Sequence, residues 1–326
     1  MKFHSCLTTR RGFTAILIGS AAGFSSCRRE HKRIIGVVPK GRAHLFWQSV
    51  HAGANAAARE AGVEVSWNGP ATETDYNGQL QIVDAMINRR VDAIALAPID
   101  KKAMVSVVER AKREKIPVVI FDSAIDTNDF VSQVATDNYA AGQMAADRIG
   151  KILDGKGKVA MVAVQPGAAS TMAREQGFED RIKEKYPNIA IVDKRFGMAD
   201  FAQSLAVAEN MLTAHSDLAA LFASNESSTV GAAQALKGRQ SKVKMVGFDW
   251  SPTLEDGLKS GLIDSLVVQN PFKMGYESVK AAVAALEGKP VEKINNLAPR
   301  LILKEDLSKP DVQEQLNPDL KKYLGG

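Results

Sequence analysis

A chain of 326 residues, 45 % apolar and 24 % charged, is long enough to bury a large core and to form two domains. Its 42 basic and 37 acidic side chains give a net charge of only +5, which does not support the concentrated basic face of a nucleic-acid binder. Two cysteines leave little room for thiol catalysis or a cysteine metal site.

The first 27 residues read as an export leader outside the fold. Lys2, Arg10 and Arg11 make a positive start, and Gly12 to Phe24 is an apolar stretch too short to cross a hydrocarbon core of about 30 Å. Thr9-Arg10-Arg11-Gly12-Phe13 resembles a twin-arginine export motif. Phe24-Ser25-Ser26-Cys27 resembles a lipobox, which makes Cys27 the expected lipidated first residue of the mature protein. Cys6 lies inside the leader, so the mature chain is expected to have no disulfide. The leader takes away three basic residues and no acidic one, and what remains is close to neutral. Arg28, Arg29, Lys32 and Arg33 fall in a tether, 28–33, beside the lipid, where basic residues favour an anionic membrane surface.

From Ile34 onward apolar runs of four to seven residues alternate with segments of helical period. The predicted strands are Ile34–Val38, Val63–Trp67, Ala93–Ala97, Val118–Phe121, Val131–Ala135, Val159–Val164, Ile189–Lys194, Ala219–Ala223, Val243–Phe248 and Leu266–Gln269. Amphipathic stretches such as Phe46–Ala61, Leu80–Asn88, Ala103–Lys115, Ala140–Leu153, Phe201–Ala214 and Met274–Leu286 lie between them. Continuous apolar strands separated by helices predict parallel sheets covered on both faces. The fold class is therefore α/β, with two doubly wound layers. The rhythm restarts near Thr136-Asp137-Asn138, and Asn270-Pro271 and Ala298-Pro299 punctuate it again.

In open parallel sheets, ligands bind outside the carboxyl ends of the strands. The residues that follow the strands are mostly polar or aromatic: Pro39-Lys40 and His44 to Trp47, Asp122-Ser123, Gln165 to Arg174, Ser224-Asn225-Glu226, Asp249-Trp250 and Gln269-Asn270. No glycine-rich dinucleotide or phosphate loop follows any strand, so no cofactor is expected. Lys40 and His44 have no nucleophile near them in sequence. His44 and His51 have no third metal-ligating residue close by, so no metal site is expected. Asp122 and Asp249 have a bland alternative as helix caps, and Glu73-Thr74-Asp75 reads by default as a solvated acidic loop, with contact to a larger ligand or a partner as the alternative.

The order Phe46-Trp47 after the first strand, Phe121-Asp122-Ser123, Val134 to Asn138, Ala173-Arg174-Glu175-Gln176-Gly177-Phe178, Ala223-Ser224-Asn225-Glu226 and Val246-Gly247-Phe248-Asp249 resembles the periplasmic sugar-binding proteins of the ribose-binding type. These are the substrate-binding components of ABC importers, and the resemblance covers nearly the whole chain after the leader. It implies two lobes joined by a multi-strand hinge, 34–136 with 271–298 and 137–270 with 299–326. It also implies a ligand site in which Phe46 and Trp47 pack on a sugar from one lobe and Phe201 from the other. Asp122 and Asp249 would accept hydrogen bonds from pairs of hydroxyls, Arg174 and Asn225 would donate, and Gln269 would sit at the hinge. Lys40, His44 and Ser123 depart from the ribose pattern and are expected to face the ligand with a different set of contacts.

The function these expectations describe is capture of a monosaccharide or close analogue by a monomeric, lipid-anchored extracytoplasmic protein that hands it to an ABC permease. Two rivals are a sugar sensor that reports to a membrane receptor and a carbohydrate-active enzyme using Asp122 and Asp249. The enzyme would need a carboxylic acid with a raised pKa beside one of them.

Overall fold

The computed structural model describes Met1 and residues 32–325. The export leader, the lipobox with Cys27 and residues 28–31 of the tether lie outside the described residues.

The elements alternate as the apolar pattern implies. β1 (Ile34–Val38), α1 (Leu45–Ala61), β2 (Glu64–Trp67), α2 (Tyr76–Asn88), β3 (Ala93–Leu96), α3 (Val105–Arg113), β4 (Val118–Phe121) and β5 (Ser132–Thr136) come first. α4 (Asn138–Ile152), β6 (Lys156–Ala163), α5 (Ala169–Lys185), β7 (Asn188–Phe196), α6 (Phe201–Ala214), β8 (Leu218–Ala223) and α7 (Glu226–Gly238) follow. The chain ends with β9 (Lys244–Phe248), α8 (Pro252–Ser260), β10 (Ser265–Val268), α9 (Pro271–Leu286), β11 (Ile294–Leu297), β12 (Arg300–Ile302), α10 (Pro310–Leu316) and α11 (Leu320–Leu324).

The strands form two six-stranded sheets, ordered β11-β5-β4-β3-β1-β2 and β12-β10-β9-β8-β6-β7. All pairings are parallel except the antiparallel β10–β12 edge. The two orders are the same once the numbering is shifted, so each sheet reverses direction of growth beside its first strand. That reversal opens a crevice at the carboxyl end of β1 and of β6. The chain passes from the first sheet to the second after β5, returns after β10, and passes over again between β11 and β12.

β1, β3 and β4 are almost wholly buried, as are β8, β9 and β10, because helices cover both faces of each sheet. α1 packs on α9 in the first lobe and α4 on α5 in the second, each closely enough to require glycine. A Cβ on Gly53 of α1 would sit 1.9 Å from the carbonyl oxygen of Phe272, and one on Gly142 of α4 would sit 1.9 Å from that of Arg174.

The sequence pattern misses β11 and β12. They are short sheet-edge strands, and Asn295-Asn296 in β11 gives no apolar run. The tail also departs from its expected assignment to the second lobe. Val312 and Leu316 of α10 do join the second core. α11 instead turns back to α1, where the Tyr323 carbonyl accepts from Nδ2 of Asn55 at 3.0 Å and the Tyr323 ring lies 5.5 Å from that of Phe272. No helix among the described residues is long and apolar enough to cross a membrane.

Candidate functional site

The carboxyl ends of the two sheets face each other across a narrow cavity lined by residues of both. The loop after β1 reaches into it with Lys40 and His44. The buried Gln79 amide of α2 fixes this loop: it donates to the carbonyls of Pro39 and Ala97 and accepts from the Ile99 N–H. Phe46 and Trp47 open α1 and meet edge to face, with ring centroids 4.9 Å apart.

Asp122 and Asp249 occupy corresponding places, one residue beyond β4 and one beyond β9. Both hold a left-handed backbone, φ 60° and 69°, which asparagine and aspartate tolerate better than most side chains. Each donates its own N–H to the next strand, to Val134 and Val267 respectively. Their carboxylates are treated differently. Asp122 forms an ion pair with Lys40 at 2.5 Å, and both side chains are buried. Asp249 has no cation in hydrogen-bonding contact; it accepts from the Gln269 amide at 2.7 Å and the Glu226 N–H at 2.9 Å. Burial raises the Asp249 pKa and the Arg174 charge draws it back only in part.

Arg174 lies on α5, 1 % exposed, with its guanidinium carbon 3.4 Å from the centre of the Phe248 ring. It donates to the Ser224 carbonyl and to Oδ1 of Asn138, and its Nε has no protein partner. Burial lowers its pKa, and the surrounding carboxylates Asp249 and Asp122 oppose that. Asn225 caps α7: its Oδ1 accepts from the Ser228 N–H and the Ser227 hydroxyl, which leaves Nδ2 free to donate. Gln269 also receives the Thr136 hydroxyl at 2.6 Å, so it joins the ends of two chain passages between the lobes to one of the cavity aspartates.

Of the expected ligand residues, Lys40, His44, Phe46, Trp47, Asp122, Arg174, Asn225, Asp249 and Gln269 line this one cavity. Ser123 and Phe201 are not on its wall. The Ser123 hydroxyl accepts from the Ser170 N–H across the cleft. Phe201 meets the His44 ring edge to face, with centroids 5.2 Å apart, so it walls the histidine and not the open space.

Four lining residues had no assigned role in sequence: Glu73, Ser170, Thr171 and Glu226. Glu73 corrects the expectation of a solvated loop. Its side chain is 11 % exposed and its Oε1 accepts from His44 Nδ1 at 2.6 Å and Trp47 Nε1 at 2.7 Å. Burial alone would lower the His44 pKa; the carboxyl groups around it, Glu73 foremost and then Glu226 and Asp249, together more than reverse this and raise it to about 9. Glu226 was visible as a strand-end residue, but only the closed arrangement of the lobes reveals its contact. From the second lobe it accepts from the Leu45 and Phe46 N–H groups at the start of α1 in the first, at 3.3 and 3.2 Å. Burial and the neighbouring Asp249 carboxylate, opposed by His44, raise its pKa to about 7.

The cavity thus holds carboxyl groups, donor-only cations and aromatic faces. That set fits a neutral ring bearing hydroxyls, which can donate to one group and accept from another. Among the described residues, no group of three or more His, Cys, Asp or Glu is arranged to hold a metal ion.

A periplasmic binding protein domain matches residues 35–290. Similar proteins include the ribose import binding protein of Bacillus subtilis, 31 % identical over 76 % of this chain and 80 % of that protein. The D-allose-binding periplasmic protein of Escherichia coli is 30 % identical over 76 % and 83 %. A carbohydrate transporter solute-binding protein from Agrobacterium radiobacter, solved in complex with D-arabinose, superposes with a TM-score of 0.86 at 32 % identity, over 88 % of this chain and all of that one. An ABC transporter solute-binding protein from Agrobacterium vitis with bound D-fucose gives 0.85 at 32 % identity, over 87 % and 99 %. The chain therefore belongs to the periplasmic binding protein family, and the relatives it matches are sugar-binding transport proteins, not enzymes.

Proposed function

We propose that this protein captures a monosaccharide or close analogue between its two lobes, outside the cytoplasm, and delivers it to an ABC importer. The observation that carries this reading is the single cavity shared by both lobes, where Lys40–Asp122 and Trp47 face Arg174, Asn225 and Asp249. Donor groups without a protein partner, Nε of Arg174 and Nε2 of His44, support a ligand with oxygens on more than one side. A ligand touching both lobes makes more contacts when they are closed, so it shifts the population toward closure. The closed outer surface is then what a permease would read. The lobes in this reading are 34–136 with 271–298, and 137–270 with the chain from 299 through α10. Lipid attachment at Cys27 would hold a monomer beside the permease, and loss of membrane association in Cys27→Ala is its test.

Thermal-shift and calorimetric screening over pentoses, hexoses, sugar alcohols and sugar acids tests the ligand class. At least one sugar should raise the melting temperature and decrease the radius of gyration. A panel in which only a non-carbohydrate stabilises the protein would overturn the reading.

A further inference from the structure

Glu73 stands outside every role assigned above to the ligand groups, yet it touches two of them. It lies in the loop between β2 and α2, and a single oxygen, Oε1, takes both the Nδ1–H of His44 and the Nε1–H of Trp47. The same residue's main-chain carbonyl accepts from Nε2 of Gln165, in the second lobe, at 2.7 Å. His44 is 4 % exposed and lines the cavity, and its other nitrogen, Nε2, is buried without a protein partner.

The two imidazole nitrogens divide the chemistry. With Nδ1–H held by an acceptor, a neutral ring offers a lone pair at Nε2, while a protonated ring offers an N–H there. Which of the two the ligand meets depends on the charge facing the ring. The groups that face it are Glu73 from the loop after β2, Glu226 from the start of α7 and Asp249 from beyond β9, all carboxyl groups. Phe201 at the start of α6 adds an uncharged ring edge. Burial would raise the Glu73 pKa, and the charges of His44 and, less strongly, Lys40 more than offset this, so the carboxylate's pKa is lowered. Of the three carboxyl groups only Glu73 touches the imidazole, and it is the one whose pKa is lowered while those of Glu226 and Asp249 are raised.

We propose that Glu73 is a positioning residue that sets the hydrogen-bond sense of the sugar site: by accepting from Nδ1 of His44 and Nε1 of Trp47, it makes Nε2 of His44 a fixed donor to a ligand oxygen. This rests on the sugar-binding reading and deepens it. The ligand atom beside His44 is an oxygen with a lone pair, as in a hydroxyl, ring ether or carbonyl. An analogue with a C–H group in its place leaves a buried cationic donor unpaired and is rejected. Replacing the carboxylate by an amide keeps the shape of the loop but removes the charge. Burial then favours the neutral ring, and Nε2 becomes an acceptor turned toward a ligand oxygen that was accepting.

Two measurements on the full chain test this separately. The first is an NMR titration of the His44 imidazole nitrogens in the native protein and in Glu73→Gln, which needs no ligand. The native ring should stay protonated through pH 8, and the variant ring should titrate at least about one unit lower. The second is the affinity of whichever of D-ribose, D-arabinose, D-fucose and D-tagatose binds the native protein, measured for both forms at pH 6 and pH 8.5. The deficit of Glu73→Gln relative to native should be about tenfold or more at pH 8.5 and several times smaller at pH 6. In a His44→Asn background the deficit should lose its pH dependence. An unchanged His44 titration in Glu73→Gln, or a deficit equal at the two pH values, would overturn the proposal and make Glu73 a packing residue only. Failure of all four sugars to bind the native protein would tell against the sugar reading, and the imidazole titration would still decide the role of Glu73.

Discussion

The two lobes share a strand order, a pair of glycine-tight helices and an aspartate in the left-handed conformation at the same place in each sheet. They differ in how the ligand-side ends are finished. In the second lobe α7 is capped from within: Asn225 serves the Ser228 N–H and Asp249 the Glu226 N–H. In the first lobe His44 sits at the N-cap of α1 and makes no side-chain cap, so the Leu45 and Phe46 N–H groups turn to Glu226 of the other lobe. A helix N-terminus left without a partner attracts negative charge. α7 is complete within its own lobe, whereas α1 is completed by closure, as is its counterpart α5, whose Ala168 makes no side-chain cap and whose Ser170 N–H turns to Ser123 of the first lobe.

The aspartates are the sharpest way to separate the lobes. Asp122→Ala should be the most damaging to stability, because it strands the buried Lys40 ammonium. Breaking a buried pair costs about 3–5 kcal/mol, to be read from urea unfolding. Asp249→Ala strands no directly paired cation, and its effect should appear in affinity, at about 2–3 kcal/mol or roughly 30- to 150-fold by calorimetry. Equal stability losses in the two variants would erase the distinction.

The helix pairs test the likeness instead of the difference. Gly53→Ala and Gly142→Ala each drive a methyl into a backbone carbonyl at 1.9 Å. Overpacking of this kind costs about 1–3 kcal/mol, and the two losses should agree within error in thermal unfolding. A tolerated Gly53→Ala beside a disruptive Gly142→Ala would show that one interface is looser than its counterpart.

The smallest expected effect concerns the borrowed cap. Burial in the closed structure, with Asp249 beside it, raises the Glu226 pKa from its ordinary 4.5 to about 7, so the closed form takes up a proton relative to a solvent-exposed Glu226. This contribution to closure is complete below 4.5 and is lost as pH rises through 7. Sugar affinity should weaken severalfold between pH 5.5 and 8 in the native protein and change less in Glu226→Gln. A steeper dependence in the variant would break the assignment.

Much of the fold was legible because buried parallel strands are continuous apolar runs. Val118–Phe121 appears in the sequence with the same ends as in the structure. β11 was not legible, since an edge strand half open to solvent can carry two asparagines. Strand-end position pointed to Lys40 and Asp122, but not to their pairing, which joins residues far apart in sequence. Glu73 was illegible for a different reason. A loop carboxylate looks the same whether it faces water or folds inward, and its direction is set by His44 and Trp47 on another element. Glu226 is plain in the sequence, while its contact exists only once the two lobes meet.

The tail carries a mechanical consequence. α10 is embedded in the second core and α11 is held on α1 by Tyr323, with only Asn317 to Asp319 between them. A fully extended chain of that length reaches on the order of 10–14 Å. The tail thus ties the second core to α1, and an opening that separated α10 from α1 by more than this span would have to strip α11 from α1. Travel of the jaws is set by the length of a leash as well as by the stiffness of the crossing strands, and lengthening those three residues is a way to change the stroke without touching the ligand.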